Sequence, residues 1–221
     1  MMLKENLQNL MHDIPAGVRL VAVSKTQPVQ TIRAVYDAGQ RIFGENKVQE
    51  LIAKHPQLPK DIEWHFIGHL QRNKVKLIVP VAKLIHGIDS FKLLKEVNKE
   101  AGKIARKVNC LLQFHIATEE TKFGLDCKEA VTILTSPEYR EMKFVNICGV
   151  MGMATFTGDQ SLIRQEFRHL RSFFLRLKET FFQESPDFKE LSMGMSGDYR
   201  IAIEEGSTMV RIGTMIFGAR E

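Results

Sequence analysis

The sequence predicts an α/β chain closed into one (β/α)8 barrel. Two observations lead there. Eight short apolar runs alternate with amphipathic stretches from one end of the chain to the other, and such alternation builds a parallel sheet. After the first run the chain reads Lys25-Thr26-Gln27-Pro28, without the glycines that an open, doubly wound sheet wants at that turn. The 221 residues are few for eight units but within the range of the closed barrel. No linker, repeat or low-complexity stretch divides them, so residues 1–221 read as a single domain.

The expected strands are residues 20–24, 41–43, 64–67, 84–86, 110–116, 145–150, 190–192 and 209–212. Between them lie stretches with apolar residues at helical spacing. Residues 29–38 follow Pro28, which suits a first helical turn. Asp89-Ser90 precedes a helix at 91–107, with Leu93, Leu94 and Val97 on one face. The longest helix is expected at 161–182, where Ile163, Phe167, Leu170, Phe174, Leu177 and Phe181 form one packing stripe. Residues 199–205 and a short last helix ending near Gly218 complete the set.

Composition narrows the class. With 44% hydrophobic and 26% charged residues the chain can build a full core. A formal charge of +5 points weakly to anionic partners: nucleic acid, a membrane surface or a phosphorylated ligand. No apolar run approaches the ~18 residues of a membrane span, and the N-terminal stretch lacks a signal-peptide core. Cys110, Cys127 and Cys148 are odd in number and form no C-x-x-C pair, which argues against a disulfide framework or zinc site. Cytoplasmic residence is the expectation.

In such a barrel the chemistry sits at the carboxyl ends of the strands, with phosphate held after strands seven and eight. Lys25 lies at the end of the first apolar run. It is either a solvated cation on a snorkelling stem or an amine held as a nucleophile at the barrel mouth, able to form a Schiff base. After strand seven comes Ser192-Met193-Gly194-Met195-Ser196-Gly197-Asp198, where Ser196 can both cap the next helix and donate to a phosphate oxygen. After strand eight comes Arg211-Ile212-Gly213-Thr214. Either loop alone is a capped turn; two in the adjacent phosphate positions favour a phosphorylated ligand. Arg211 reads as an ion-pair partner of Glu204 or Glu205, or as a charged fork aimed at the ligand. Glu45 or Asn46 could cap a helix or touch a ligand. His65 and His69 do not have the spacing of a zinc pair. The basic run 71–76 lacks interleaved aromatics and reads as a solvated helix face.

Five segments resemble one family: V-A-V-S-K at 21–25, F-G-E-N-K-V-Q-E at 43–50, W-H-F-I-G-H-L-Q-R-N-K at 64–74, L-S-M-G-M-S-G-D at 191–198 and V-R-I-G-T-M-I-F-G at 210–218. In this order they resemble the YggS-type pyridoxal-phosphate homeostasis proteins, single-domain relatives of the alanine-racemase N-terminal barrel (fold type III), lacking the racemase's C-terminal β-domain. The resemblance implies that pyridoxal 5′-phosphate (PLP) is held as an internal aldimine on Lys25. It implies that Ser196, Gly213 and Thr214 hold the phosphate, that Arg211 faces the pyridine nitrogen, and that Asn46 and Met151 lie beside the cofactor. One departure is visible: relatives usually read G-L-M after strand six, and this chain has Gly149-Val150-Met151.

An arginine at the ring nitrogen keeps its proton, so PLP is a weaker electron sink than beside an acid. Racemisation also needs a second acid/base, a tyrosine carried by the racemase's added domain. This chain ends at Glu221, and Tyr36, Tyr139 and Tyr199 are not placed for that role. The expectation is a monomeric carrier in PLP homeostasis that stores the cofactor or delivers it to apo-enzymes, with little catalysis. The alternatives are a weak racemase-like enzyme, a sugar-phosphate barrel without PLP and, on charge alone, a nucleic-acid module.

Overall fold

A computed structural model describes residues 2–119 and 123–218. Eight strands form the sheet: β1 (Arg19–Val23), β2 (Ile42–Glu45), β3 (Glu63–Phe66), β4 (Leu84–Ile88), β5 (Val108–Gln113), β6 (Val145–Met151), β7 (Glu190–Ser192) and β8 (Met209–Ile212). They follow one another in sequence order round a closed barrel, and β1 pairs in parallel with β8 to shut it. The (β/α)8 architecture is the one the alternation predicts.

Strand ends differ where charge or pairing overrides the apolar pattern. β2 runs on to Glu45 because Gly44 and Glu45 pair with His65 and Phe66 of β3. β4 continues through His86 and Gly87, both buried. β5 starts earlier and stops at Gln113, opposite the last residue of β6. Within the β5–β6 ladder, Cys110 faces Ile147 and Leu111 faces Gly149, so β6 carries a bulge. Gly149 has φ 151°, and a Cβ there would lie 1.9 Å from the Glu190 carbonyl oxygen, so only glycine fits.

The helices cover the outside. Gln160–Phe181 buries Ile163, Phe167, Leu170, Phe174 and Leu177; burying five such side chains contributes on the order of 10 kcal/mol before entropy is subtracted. The helix expected at 91–107 is capped by Ser90, whose Oγ accepts from Leu93 N, and ends at Lys103. Ala105 at φ 50° turns the chain out of the helical region. The apolar spacing does not single out three helices, Met2–Asp13, Cys127–Thr135 and Pro137–Arg140. Met2–Asp13 packs against the last helix, Thr214–Phe217, where Asn6 Nδ2 donates to Ile216 O. Cys127–Thr135 opens on a capping box between Asp126 and Glu129.

Inside the barrel, Val21, Leu84, Leu111, Cys148, Met151 and Met209 form a small apolar cluster. His65, His86, Ser192 and Arg211 are buried as well, so the barrel interior is polar along one side.

Candidate cofactor site

A cavity of about 620 Å³ opens at the carboxyl ends of the strands. Lys25 reaches it from the end of β1, Asn46 from β2, Ser196 from the loop after β7, and Arg211, Gly213 and Thr214 from β8 and its following turn. Six of the seven residues singled out in the sequence thus share one wall-to-wall site. Met151 stands apart. It is still within the sheet, paired with Gln113 and Ser192, and its side chain fills the barrel interior. Met153, two residues on, lines the cavity instead.

Lys25 sits one residue beyond Ser24, in a tight turn closed by Gln27 N donating to Ser24 O at 3.0 Å. Thr26 follows with φ 67°, a left-handed conformation that costs a non-glycine residue about 1 kcal/mol or more. A buried cluster holds the turn. The Thr26 N–H donates to Glu50 Oε2 at 2.7 Å, and Lys54 Nζ bonds Glu50 Oε2, Glu45 Oε1 and Ser24 O at 2.8–2.9 Å. Ser24 Oγ donates to Glu45 Oε1 at 2.6 Å. Burial pushes the Glu45 carboxyl up, against the pull of Lys54 and Ser24. For Glu50 burial works in the same sense, but the Thr26 N–H and Lys54 outweigh it and hold its carboxyl below the ordinary range. Sequence reading missed Lys54 and Glu50 as part of the site. Their spacing of four on a helix was the only local signal, and it is shared by many surface pairs.

The two loops after β7 and β8 are ready for an anion. Met195 N is used internally, donating to Asp198 Oδ1 at 2.5 Å. Among the described residues, nothing accepts from the backbone N–H groups of Ser196, Gly197, Gly213 or Thr214, and all four residues line the cavity. Gly194 makes the loop possible: its φ is 96°, and a Cβ would meet that of Ala202 at 2.6 Å. Ser196 does not cap the next helix as anticipated. Asp198 occupies the cap position, which leaves the Ser196 hydroxyl to the cavity.

Arg211 is buried and does not pair with Glu204 or Glu205, whose carboxylates take Arg164 and Arg168 instead. Its Nη1 donates to Ser192 Oγ at 2.6 Å and its Nη2 to Gly152 O at 3.1 Å. Burial lowers its pKa to about 10, which leaves it charged at neutral pH. Asn46 Oδ1 is buried without a hydrogen-bond partner. Such an orphan is costly in an empty fold and is satisfied by a ligand's polar group. An amine, a fixed cation, an amide oxygen and four backbone N–H groups that have no partner among the described residues fit a flat phosphorylated aldehyde such as PLP.

A family model described as the alanine racemase N-terminal domain matches residues 2–221. The chain belongs to that family. Within it the chain is similar to the pyridoxal phosphate homeostasis proteins. It is 38% identical to that of Aquifex aeolicus over 92% of this chain and 87% of the relative. It is 37% identical to that of Pasteurella multocida over 100% and 99%. Among solved structures it resembles PipY of Synechococcus elongatus PCC7942. The form without PLP superposes with a TM-score of 0.90 at 37% identity, and the form with PLP bound at 0.86 and 36%, each over 98% of this chain and 100% of the other.

In this member of the family no tyrosine among the described residues lines the cavity. Tyr36 OH bonds Asp61, Tyr199 OH reaches Asp13, and burial pushes the Tyr139 phenol up to about 12. His65 lies inside the barrel against His86, whereas His69 is at the mouth, paired with Asp89 at 2.9 Å and stacked on Phe123. The basic run 71–76 spans a 3-10 turn, Arg72–Lys74, and the start of a short helix, Val75–Ile78.

Proposed function

We propose that this chain binds PLP at the barrel mouth through Lys25 and works in PLP homeostasis, storing the cofactor and handing it to apo-enzymes. The observation that carries this reading is the meeting of the Lys25 amine, the Arg211 cation and four unpartnered backbone N–H groups in one cavity. A structure of PipY, 36% identical over 98% of this chain, is described with PLP bound, which supports the choice of ligand.

PLP supplies an aldehyde that condenses with a primary amine, and an electron-poor ring. The chain supplies the rest. Its turn at Ser24–Gln27 presents the Lys25 amine, and the loops at Ser196–Gly197 and Gly213–Thr214 offer N–H donors to a phosphate. Arg211 brings a proton that it does not surrender to the ring's nitrogen side. Among the described residues no tyrosine lines the cavity to move an α-proton, and the arrangement suits holding the cofactor better than racemising an amino acid. The same proposal takes the carrier to be monomeric and cytoplasmic. Supporting the compartment, Cys110, Cys127 and Cys148 are all free thiols.

Mixing purified protein with PLP is expected to produce the yellow band of a protonated Schiff base, removed by borohydride. The Lys25→Ala variant is expected to lose the band while keeping its fold. Amino acids added in deuterated water should exchange their α-protons no faster than with free PLP. A borohydride-reducible adduct in Lys25→Ala contradicts the assignment of Lys25, and rapid exchange contradicts the carrier reading.

A further inference from the structure

A line of hydrogen bonds runs down the inside of the barrel from Arg211. Arg211 Nη1 donates to Ser192 Oγ at 2.6 Å. Ser192 Oγ lies 3.1 Å from His86 Nδ1, and His86 Nε2 lies 3.0 Å from His65 Nδ1. The four residues are at most 4% exposed. They come from β8, β7, β4 and β3, four different strands of one rigid sheet.

The chemistry of the first donor sets the direction of the line. A guanidinium only donates, so Ser192 Oγ accepts from Arg211, and its hydroxyl proton meets no acceptor among the described residues other than His86 Nδ1. His86 then carries its proton on Nε2 and donates to His65 Nδ1. His65 in turn carries its proton on Nε2. Both rings are neutral: burial drives His86 well below its ordinary pKa and takes His65 down to about 3. The remaining N–H of His65 ends the line at a second cavity, of about 270 Å³, which His65 lines together with Arg19, Glu63, Lys83 and Glu190. That cavity lies at the amino-terminal ends of the strands, across the barrel from Lys25.

We propose that Ser192, His86 and His65 are a one-way relay that positions Arg211 and makes the cofactor site sensitive to charge in the cavity at the opposite end of the barrel. Bonds in series polarise one another in a low-dielectric interior. A negative charge near the His65 N–H strengthens each link and makes Ser192 Oγ a better acceptor, which holds the Arg211 fork more firmly. A positive charge does the reverse, and Arg19 and Lys83 are the cations that act on His65. Arg19 is already neutralised by Glu190 at 2.7 Å, so Lys83, which is exposed, is the handle on the relay. The three are positioning residues. The part of the proposal that concerns the cofactor rests on the PLP reading above; the direction of the relay does not.

Two measurements test it. In the protein without PLP, nitrogen NMR of the imidazoles is expected to show His86 and His65 as neutral Nε2–H tautomers between pH 8 and about 5. A proton on His86 Nδ1 would overturn the direction. In the protein with PLP, Ser192→Ala is expected to weaken PLP binding about tenfold by releasing Arg211, whereas His86→Gln in the parent, which can accept and donate in the same sense, is expected to retain most of the parent's affinity. Lys83→Glu is expected to tighten PLP binding about threefold, and to have no effect when combined with Ser192→Ala. If the effect of Lys83→Glu survives in Ser192→Ala, or is absent from the parent, the coupling is refuted. A protein that shows the expected tautomers but takes up no PLP would refute the cofactor reading and leave the relay's direction standing.

Discussion

Lys54→Met is expected to lower the unfolding free energy by about 3–5 kcal/mol, the cost of stranding a buried carboxylate. For a chain of this size that corresponds to a fall in melting temperature of about 10 °C. Lys54 Nζ is the cation between Glu45 and Glu50, and it also bonds the Ser24 carbonyl. Glu45 is fully buried and its Oε2 already has no partner, so loss of Lys54 leaves it with only the Ser24 hydroxyl. The double variant Lys54→Met/Glu45→Gln should regain much of the lost stability, because both charges leave together. The damage should also reach the cofactor site. The cluster pins the turn that carries Lys25, so PLP binding by the single variant should weaken even where the protein is folded. Equilibrium denaturation of the three proteins checks the first claim. A loss below about 1 kcal/mol in Lys54→Met would place the cluster among ordinary surface ion pairs.

Acidification from pH 7 to pH 5 is expected to remove about 4 kcal/mol of stability through His65 and His86. In the fold both rings are neutral, because burial holds their pKa values below the ordinary 6.5, that of His65 at about 3. In the unfolded chain both take up a proton near pH 6.5. Unfolding therefore binds protons in this window, and the stability present above pH 6.5 is lost as pH falls toward the folded values. Each ring contributes about half. His65→Gln should accordingly lose only about 2 kcal/mol over the same interval. The raised carboxyl of Glu45 acts in the opposite sense but is common to both proteins, so it drops out of the comparison. Denaturant midpoints at the two pH values give the answer. Equal losses in the parent and in His65→Gln would mean that the buried pair does not control acid stability.

What the sequence made legible was the periodic part of the molecule. Residues 190–192 and 209–212 were placed as strands to the residue, because apolar runs flanked by loop residues leave no competing pattern. Lys25 and the two glycine-bearing loops stood out because an amine and anion-binding turns are unusual at three strand ends of one barrel. The hidden part is the part that depends on pairing across the fold. Ser192 and His86 are 106 positions apart, and Lys54 reaches Ser24 over 30, so no local signal ties them together. Arg211 was weighed against Glu204 and Glu205 because those are near in sequence; in space Arg164 and Arg168 take both carboxylates. Met151 was placed beside the cofactor, but the ladder still holds it at that depth, and only Met153 on the same face reaches the cavity.

The central claim is that the Lys25 amine is the covalent anchor of PLP in this barrel. It is tested most directly by loading the protein with one equivalent of PLP, reducing with borohydride, and weighing the proteolytic peptides. A pyridoxyl group is expected on the peptide containing Lys25 and on no other. A pyridoxyl group on another lysine such as Lys47, Lys54 or Lys189, with Lys25 unmodified, would contradict it.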